Sequence, residues 1–310
     1  SAQQSNVTSF GVMTVAIITL EMFAGMWINS FIVSVLCIAW VKKKILNSNE
    51  KILLLLGCCR FLYLCFSWIY AFLSIIYPNY LYVHPTFQVI LIIQSFFNCS
   101  DFCVSTCLCG FYCIKIANFR NRFFIYLKVK IDRIVPWLLL GSVIFSLVIG
   151  ILEYNIADKA QCSNSTGSGN LWKVNMKIDE HFLPLYFIIG LLYVTSFTAV
   201  ISSALPLLFS LWRHKCKMQT NSTKSLSMDA HIKAMKSVLS FFIVYNINFI
   251  TLIVIMIYST KEENPMMFLT YVLLPAFPGV HSLILIFSNP KLKKTLLKIL
   301  SCVKCKVCMR

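Results

Sequence analysis

Polar side chains recur along one apolar stretch of the sequence at a spacing that could form a ligand site. Spacings of three or four residues join Asn98 to Gln94, Ser95 and Asp101. On a helix these residues form one polar stripe, and lipid would penalise it, so the stripe is expected to face other helices. There the side chains could bind a small molecule or could hydrogen-bond neighbouring helices. The spacing by itself allows both interpretations.

Two charged residues inside apolar stretches suggest a second cluster. An unpaired charge at that depth costs about 2.5–3.5 kcal/mol on insertion scales, so Arg60 and Asp101 are expected to pair. We predict that their charged groups lie within about 6 Å of each other, with Asn29 close by. The pair could hold two helices together or could act as a switch between two states.

Catalytic chemistry has little support in the sequence. No loop places a nucleophile beside a base, no glycine-rich phosphate cradle is present, and the histidines lack metal-ligand spacing with carboxylates. We therefore predict a protein that is not an enzyme and that uses no cofactor or metal. The alternative class is a membrane transporter or channel, whose pathway could be lined by Arg60, Asp101, Glu21 and Glu153. The paired inverted halves or matching broken spans typical of transporters are not visible.

The 14 cysteines do not predict a disulfide framework. Most of them lie in apolar stretches or in basic segments expected to face the reducing cytoplasm, and only Cys162 is clearly expected outside. Cys302, Cys305 and Cys308 follow one another at intervals of three residues. That spacing is compatible with palmitoylation beside a membrane, with plain reduced thiols or with a metal site, although a fourth ligand is not nearby.

The elements that must position these residues are membrane-spanning helices. With 58% hydrophobic and 13% charged residues, the 310-residue chain is typical of a polytopic membrane protein. About 20 mostly apolar residues are needed for each helix that crosses a bilayer. We predict an all-α bundle in one domain, 1–310, with a short amphipathic helix and basic tail at 290–310. The seven predicted spans are 12–40, 52–76, 87–116, 134–154, 182–212, 238–258 and 266–287.

The distribution of basic residues predicts the orientation of the bundle. Most of the 28 lysines and arginines fall in four blocks, at 42–51, 115–133, 213–236 and 291–310. Because cytoplasmic loops carry the excess of basic residues, the C-terminus is expected in the cytoplasm and the N-terminus outside. Topology and anionic lipid explain the net charge of +17, so no nucleic-acid partner is predicted. Glycans are expected on the outer sequons at Asn6 and Asn164.

Motifs at the basic ends of the predicted helices carry a family resemblance. Residues 111–119 read FYCIKIANF and residues 124–128 read FIYLK. Residues 281–286 read HSLILI, residues 289–293 read NPKLK and residues 230–236 read AHIKAMK. In this order and spacing the chain closely resembles the bitter taste receptor family, taste receptors type 2. Its departures from the family pattern are Cys103, Ala39 and Ser196, where the family commonly has tryptophan, aspartate and proline.

The resemblance implies a G-protein-coupled receptor with seven transmembrane helices in the plasma membrane. Such a receptor binds small bitter compounds within the outer half of the bundle. Asn98 matches an asparagine associated with agonist contact in the family, and Tyr245 matches its activating aromatic position. The full set of predicted ligand-binding residues is Tyr70, Leu91, Gln94, Ser95, Asn98, Tyr245, Asn248, Leu252 and Tyr271.

The resemblance also implies a cytoplasmic coupling surface. The expected partner is a heterotrimeric G protein with gustducin or another inhibitory-type α subunit and its βγ subunits. Membrane lipid, sterol included, is a further expected partner. The predicted coupling residues are Tyr112, Lys115, Lys128, His214, His231, Lys236 and His281.

Overall fold

The computed structural model describes residues 2–77, 80, 85–116, 122–164, 183–220, 239–240, 242–251, 253–254 and 265–308. These residues are helical apart from short turns and caps, and they include no β-strand. The helices are α1 (Ala2–Lys43), α2 (Ser48–Ile76), α3 (Thr86–Ile116), α4 (Arg122–Asn164), α5 (Leu183–Thr220), α6 (Phe242–Thr251), α7 (Pro265–Ser288) and α8 (Pro290–Cys308). The predicted all-α class is therefore confirmed.

Several of these helices are long and apolar enough to cross a membrane. Within the described ranges, four segments satisfy that condition without a break: Ala16–Lys43, Ser48–Ser74, Thr86–Lys115 and Phe124–Asn155. The predicted fifth and sixth spans correspond to the shorter apolar helices Phe197–Ser210 and Phe242–Thr251, and the seventh corresponds to Leu273–Ser288. Helix α4 begins well before the predicted boundary at 134, because the basic residues that mark the membrane edge do not interrupt a helix.

Two apolar clusters hold the helices around α3. The first, with Leu36, Leu56 and Leu108 at its centre, joins α1, α2 and α3 to α4 and α7. The second packs Phe102 of α3 against Val200 of α5 and the rings of α6. Helix α3 therefore contacts both halves of the bundle and brings its polar stripe between them.

Helices α1 and α7 approach each other closely at a pair of glycines. A Cβ atom built on Gly279 would lie 3.3 Å from the Cα atom of Gly25, and one built on Gly25 would lie 2.7 Å from Leu64 Cδ1. Small residues at a helix contact allow the backbones this approach, which is common between helices in membranes. The glycine pair thus fixes the distance between α1 and α7.

The chain turns sharply where α7 ends. Pro290 has no N–H group and occupies the first position of α8, where a helix needs none. The Asn289 side-chain oxygen accepts hydrogen bonds from the backbone N–H groups of Lys291, at 3.0 Å, and Leu292, at 3.3 Å. The axis of α8 consequently lies at 95° to that of α7.

Loss of this cap is expected to loosen the start of α8. Asn289→Ala leaves two N–H groups without their acceptor and should destabilise the helix by about 1 kcal/mol. Amide exchange in 291–296 should become about fivefold faster, measured by hydrogen–deuterium exchange in detergent micelles. Thr295→Ala is the control, since its hydroxyl only returns a hydrogen bond to the Lys291 carbonyl in its own helix. Equal exchange in both variants would show that Asn289 does not hold the turn.

Candidate functional site

A buried arginine organises the middle of the bundle. Arg60 lies about 18 Å along α2 from its start, and Asp101 about 22 Å from the end of α3. The Arg60 Nε atom donates to Asp101 Oδ1 at 2.7 Å, and the two side chains are 2% and 16% exposed. The distance lies well inside the 6 Å predicted for this pair. Ser105 also donates to Asp101 Oδ1, at 3.3 Å.

The remaining donors of Arg60 reach α3 and α7. Its Nη1 atom donates to Ser282 Oγ at 2.9 Å, and its Nη2 atom donates to Ser105 Oγ at 3.1 Å. Ser282 Oγ in turn donates to Asn29 Oδ1 at 2.7 Å, which brings α1 into the network. Asn29 also donates to the Gly25 carbonyl of its own helix at 2.8 Å. The predicted proximity of Asn29 is confirmed, and the link runs through a serine that was not predicted.

His281 lies in this network and not on the surface where the sequence placed it. Its Nδ1 atom is 2.6 Å from Arg60 Nη2, and the residue is 4% exposed. Because a guanidinium can only donate, Nδ1 must be the acceptor in this contact. The prediction of a G-protein contact for His281 is therefore corrected. The position of His281 near the end of α7 suggested the surface, but the packing of α7 on α2 turns its ring inward.

A narrow cleft lies beside the network, between α2, α3, α6 and α7. Three predicted ligand residues, Asn98, Tyr245 and Asn248, line it together with the Arg60–Asp101 pair. About 30 Å³ of the cleft has room for the centre of a water-sized sphere. That volume suits one or two waters, whereas sites for small organic ligands measure about 300–1,000 Å³.

One polar atom in the cleft has an unused hydrogen-bonding capacity. The Asn248 Oδ1 atom is buried and accepts no hydrogen bond from any described residue. Leaving a buried acceptor unsatisfied costs about 1–3 kcal/mol, so the position favours a donor supplied by water or a ligand. Asn246, two residues earlier on α6, instead donates to the Phe242 carbonyl of its own helix at 2.6 Å.

Aromatic rings close the cleft on the α5 and α6 side. The Tyr245 ring meets Phe102 edge to face, with ring centroids 5.9 Å apart, and stacks on Phe197 at 6.3 Å. Phe197 also stacks on Phe249 at 4.2 Å. These contacts join α3, α5 and α6, so a change in the position of Tyr245 would displace the rings it contacts on α3 and α5.

Several predicted ligand residues lie away from the cleft. Gln94 donates to Ser67 at 3.0 Å, and Ser95 hydrogen-bonds Glu153, so these two polar residues connect helices. Tyr70 and Leu91 are half-buried and do not line the cleft. Leu252 lies outside the described residues, and Tyr271 is described only as part of α7.

The cleft also contains residues that the sequence did not single out. Most of them are apolar or aromatic residues at helical spacing, which cannot be distinguished from core positions by pattern. Pro278 does carry a local signal, because a proline within an apolar helix marks an irregularity. The lining residues missed in this way are Tyr63, Phe102, Ser105, Val244, Leu274, Phe277 and Pro278.

At the basic end of the bundle, two predicted coupling residues have partners within the protein. Lys115 Nζ forms an ion pair with Asp132 Oδ2 at 2.6 Å, and Tyr112 hydrogen-bonds Asn49. Lys128 is half-buried on α4. His231 and Lys236 lie outside the described residues, and His214, Asn6 and Asn164 are described only through their helices. The proposed coupling and glycan sites therefore remain predictions.

In the part of the chain that the structure describes, no three His, Cys, Asp or Glu side chains gather as a metal site would require. The cysteines whose side chains are described carry free thiols, and Cys302 is exposed on α8.

Comparison with known proteins gives one consistent result. A model of the protein family described as "Taste receptor protein (TAS2R)" matches residues 7–304. The chain is 34% identical over 292 residues to "Taste receptor type 2 member 7" of Macaca mulatta, with 90% of each chain covered. It is 30% identical to "Taste receptor type 2 member 9" of Homo sapiens, covering 94% of each chain. It is 29% identical to "Taste receptor type 2 member 2" of Homo sapiens, covering 96% of this chain and 98% of the relative.

Proposed function

Because the chain belongs to the taste receptor type 2 family of seven-transmembrane receptors, we propose that it detects small bitter compounds in the cleft beside Arg60. This receptor family is not a class of enzymes. Membership of it implies tastant ligands and G-protein coupling in general.

The observation that carries the proposal is the meeting of Asn98, Tyr245 and Asn248 in one cleft. Two of these residues match family positions for agonist contact or activation, and the third presents an unsatisfied buried acceptor. Apolar and aromatic walls with a few convergent polar groups are typical of small-molecule sites. The opposite charges of the neighbouring Arg60–Asp101 ion pair offset each other, so the pair gives no net attraction for an anionic or a cationic ligand.

The small volume of the cleft suggests how binding is coupled to output. A tastant cannot enter about 30 Å³ of free space, so it must bind a state in which the helices around the cleft stand further apart. Tyr245 contacts α3 and α5 through Phe102 and Phe197, so widening the cleft displaces α6 relative to both. Such a displacement would open the ends of α3, α5 and α6 that lie nearest in sequence to the basic blocks at 115–133 and 213–236 toward a G protein.

We further propose that an inhibitory-type or gustducin-like α subunit docks at that end, on the cytoplasmic side of the plasma membrane. The N-terminus is then extracellular, with Asn164 and Asn6 as glycan acceptors. Exposed lysines at the end of α1 and on α8, together with the half-buried Lys115 at the end of α3, support this orientation through the positive-inside rule. A transporter is less well supported, because Arg60 and Asp101 pair with each other in the middle of the bundle.

The direct test uses purified receptor in lipid nanodiscs with an inhibitory-type heterotrimer and a panel of bitter compounds. At least one compound should accelerate nucleotide exchange on the α subunit. Absence of any stimulation across a broad panel, with correctly folded receptor, would contradict the proposed coupling. Movement of solute in liposomes without nucleotide exchange would favour a transporter.

The place of binding is tested by an asparagine pair on α6. Asn248→Leu keeps the side-chain volume but removes the free acceptor, so the EC50 of an activating compound should rise about five- to tenfold. Asn246→Leu is the matched control, because that amide bonds its own helix, and its EC50 should change less than twofold. Equal shifts in both variants would place the binding site elsewhere.

A further inference from the structure

A second cleft lies in the corner between α7 and α8, far from the tastant site. About 450 Å³ of this corner has room for water-sized spheres, which is fifteen times the room beside Arg60. Phe287 of α7 and Leu297 of α8 provide its apolar lining, and Lys293, Lys294, Lys298 and Ser301 provide its polar lining. We call these residues the α8 corner.

The lysines of the α8 corner have no acidic partner among the residues that the structure describes. Among the described residues, no carboxylate lies within ion-pair distance of Lys293, Lys294 or Lys298. Residues 290–310 contain no aspartate or glutamate. By contrast, Lys291 on the same helix forms an ion pair with Glu50 at the start of α2. Three positive charges are therefore left to attract an anion from outside the chain.

The apolar side chains of the α8 corner are exposed, as its lysines are. Phe287 and Leu297 are each 53% exposed, and they stand beside the three lysines. Helix α7 is apolar and lies within the bilayer, whereas α8 is turned through 95° and must run along the membrane surface. The corner consequently lies where the hydrocarbon meets the headgroups.

We propose that the α8 corner binds an anionic phospholipid of the adjacent leaflet. Its phosphate and carboxylate groups contact Lys293, Lys294 and Lys298, and the first part of its acyl chain lies along Phe287 and Leu297. An acidic protein segment would use the lysines but would leave the two apolar side chains uncovered. Basic residues beside a membrane helix attract anionic lipid, and an amphipathic helix at the interface buries its apolar side chains in the acyl region. The site depends neither on the tastant nor on the identity of the G protein.

The test measures lipid binding to the purified full-length chain by native mass spectrometry. Dioleoyl phosphatidylserine and dioleoyl phosphatidylcholine share their acyl chains, so their difference reports the headgroup. Phosphatidylserine should bind at least about tenfold more tightly, and the K293Q/K294Q/K298Q variant should lose that advantage. The control K42Q/K43Q/K44Q removes the same charge from exposed lysines at the end of α1 and should retain it. Thermal unfolding in the same detergent verifies that each variant is folded, and K294Q/K298Q serves if the triple variant is not.

Two further arms separate a lipid from other anions. Leu297→Ser should weaken phosphatidylserine binding by about threefold or more, and soluble glycerophosphoserine should not compete at equal concentration. The proposal is overturned if both triple variants lose binding equally, or if glycerophosphoserine competes as well as the lipid. It is also overturned if K293Q/K294Q/K298Q binds lipid normally but fails to stimulate nucleotide exchange, which would assign the surface to the G protein.

Discussion

Replacing Arg60 with methionine is expected to destabilise the folded receptor by about 3–5 kcal/mol, because the change leaves the carboxylate of Asp101, which is only 16% exposed, without its charged partner. The loss extends to three further groups, since Arg60 also donates to Ser105, Ser282 and His281. The measurement is the unfolding free energy of purified receptor titrated with SDS in mixed micelles.

The chain offers two controls for this prediction. Lys115→Met breaks the ion pair between Lys115, which is 35% exposed, and Asp132, which is 56% exposed. Because this pair is largely solvated, the change should lower the free energy of unfolding by no more than about 1 kcal/mol. Arg60→Met combined with Asp101→Leu removes both buried charges and should recover part of the stability lost in the single variant. If the single variant unfolds like the parent, or the double variant recovers nothing, the ion pair does not determine the stability of this region.

The second large effect is expected at the contact between α1 and α7. Gly279→Val adds a side chain whose first carbon would lie 3.3 Å from the Gly25 Cα atom, and backbone cannot rotate away as a flexible side chain could. The helices must separate, and overpacking of this kind destabilises by about 1–3 kcal/mol. Because His281 and Ser282 follow Gly279 within one turn of α7, the separation should also lengthen their bonds to Arg60 and Asn29.

Gly141 provides the comparison, since no described atom outside the backbone of its own helix lies within 4 Å of a Cβ atom built on it. Gly141→Val should leave the stability unchanged or raise it slightly, because valine has a somewhat higher helix propensity than glycine, whose flexibility disfavours a helix. Both variants are compared by SDS unfolding and by the temperature at which the receptor loses its monodisperse peak. A Gly279→Val variant as stable as Gly141→Val would show that α1 and α7 are not held at the observed distance.

Much of the architecture could be predicted because each transmembrane helix carries its own local signal. The apolar length needed to cross a bilayer and the basic residues at one end are properties of consecutive residues. The pairing of Arg60 with Asp101 was also predictable, since a buried charge without a partner is costly wherever the helices lie. The family motifs at 111–119 and 281–293 belong to the same kind of local information.

The details of the site were less predictable for a physical reason. Gln94, Ser95 and Asn98 share one stripe of α3, yet Gln94 meets Ser67, Ser95 meets Glu153, and only Asn98 opens into the cleft. The partner of each residue lies on a helix distant in sequence, so its position depends on how the helices are rotated and offset. Helix α3 has Cys103 where the family commonly has tryptophan. The Cys103 thiol lies close to the Ser146 hydroxyl of α4, and a second thiol of α3 lies close to the Ser142 hydroxyl.

The sequence alone determined that this chain is a helical membrane receptor of the taste receptor type 2 family, with its basic residues at one end of the bundle. Those properties follow from the medium around each segment and from motifs read along the chain. The tertiary structure decided that His281 turns inward to Arg60, that the cleft is nearly closed, and that α8 leaves an uncovered basic corner beside α7. Side-chain direction about a helix axis and the space between helices arise from packing, and packing joins residues that no local pattern connects.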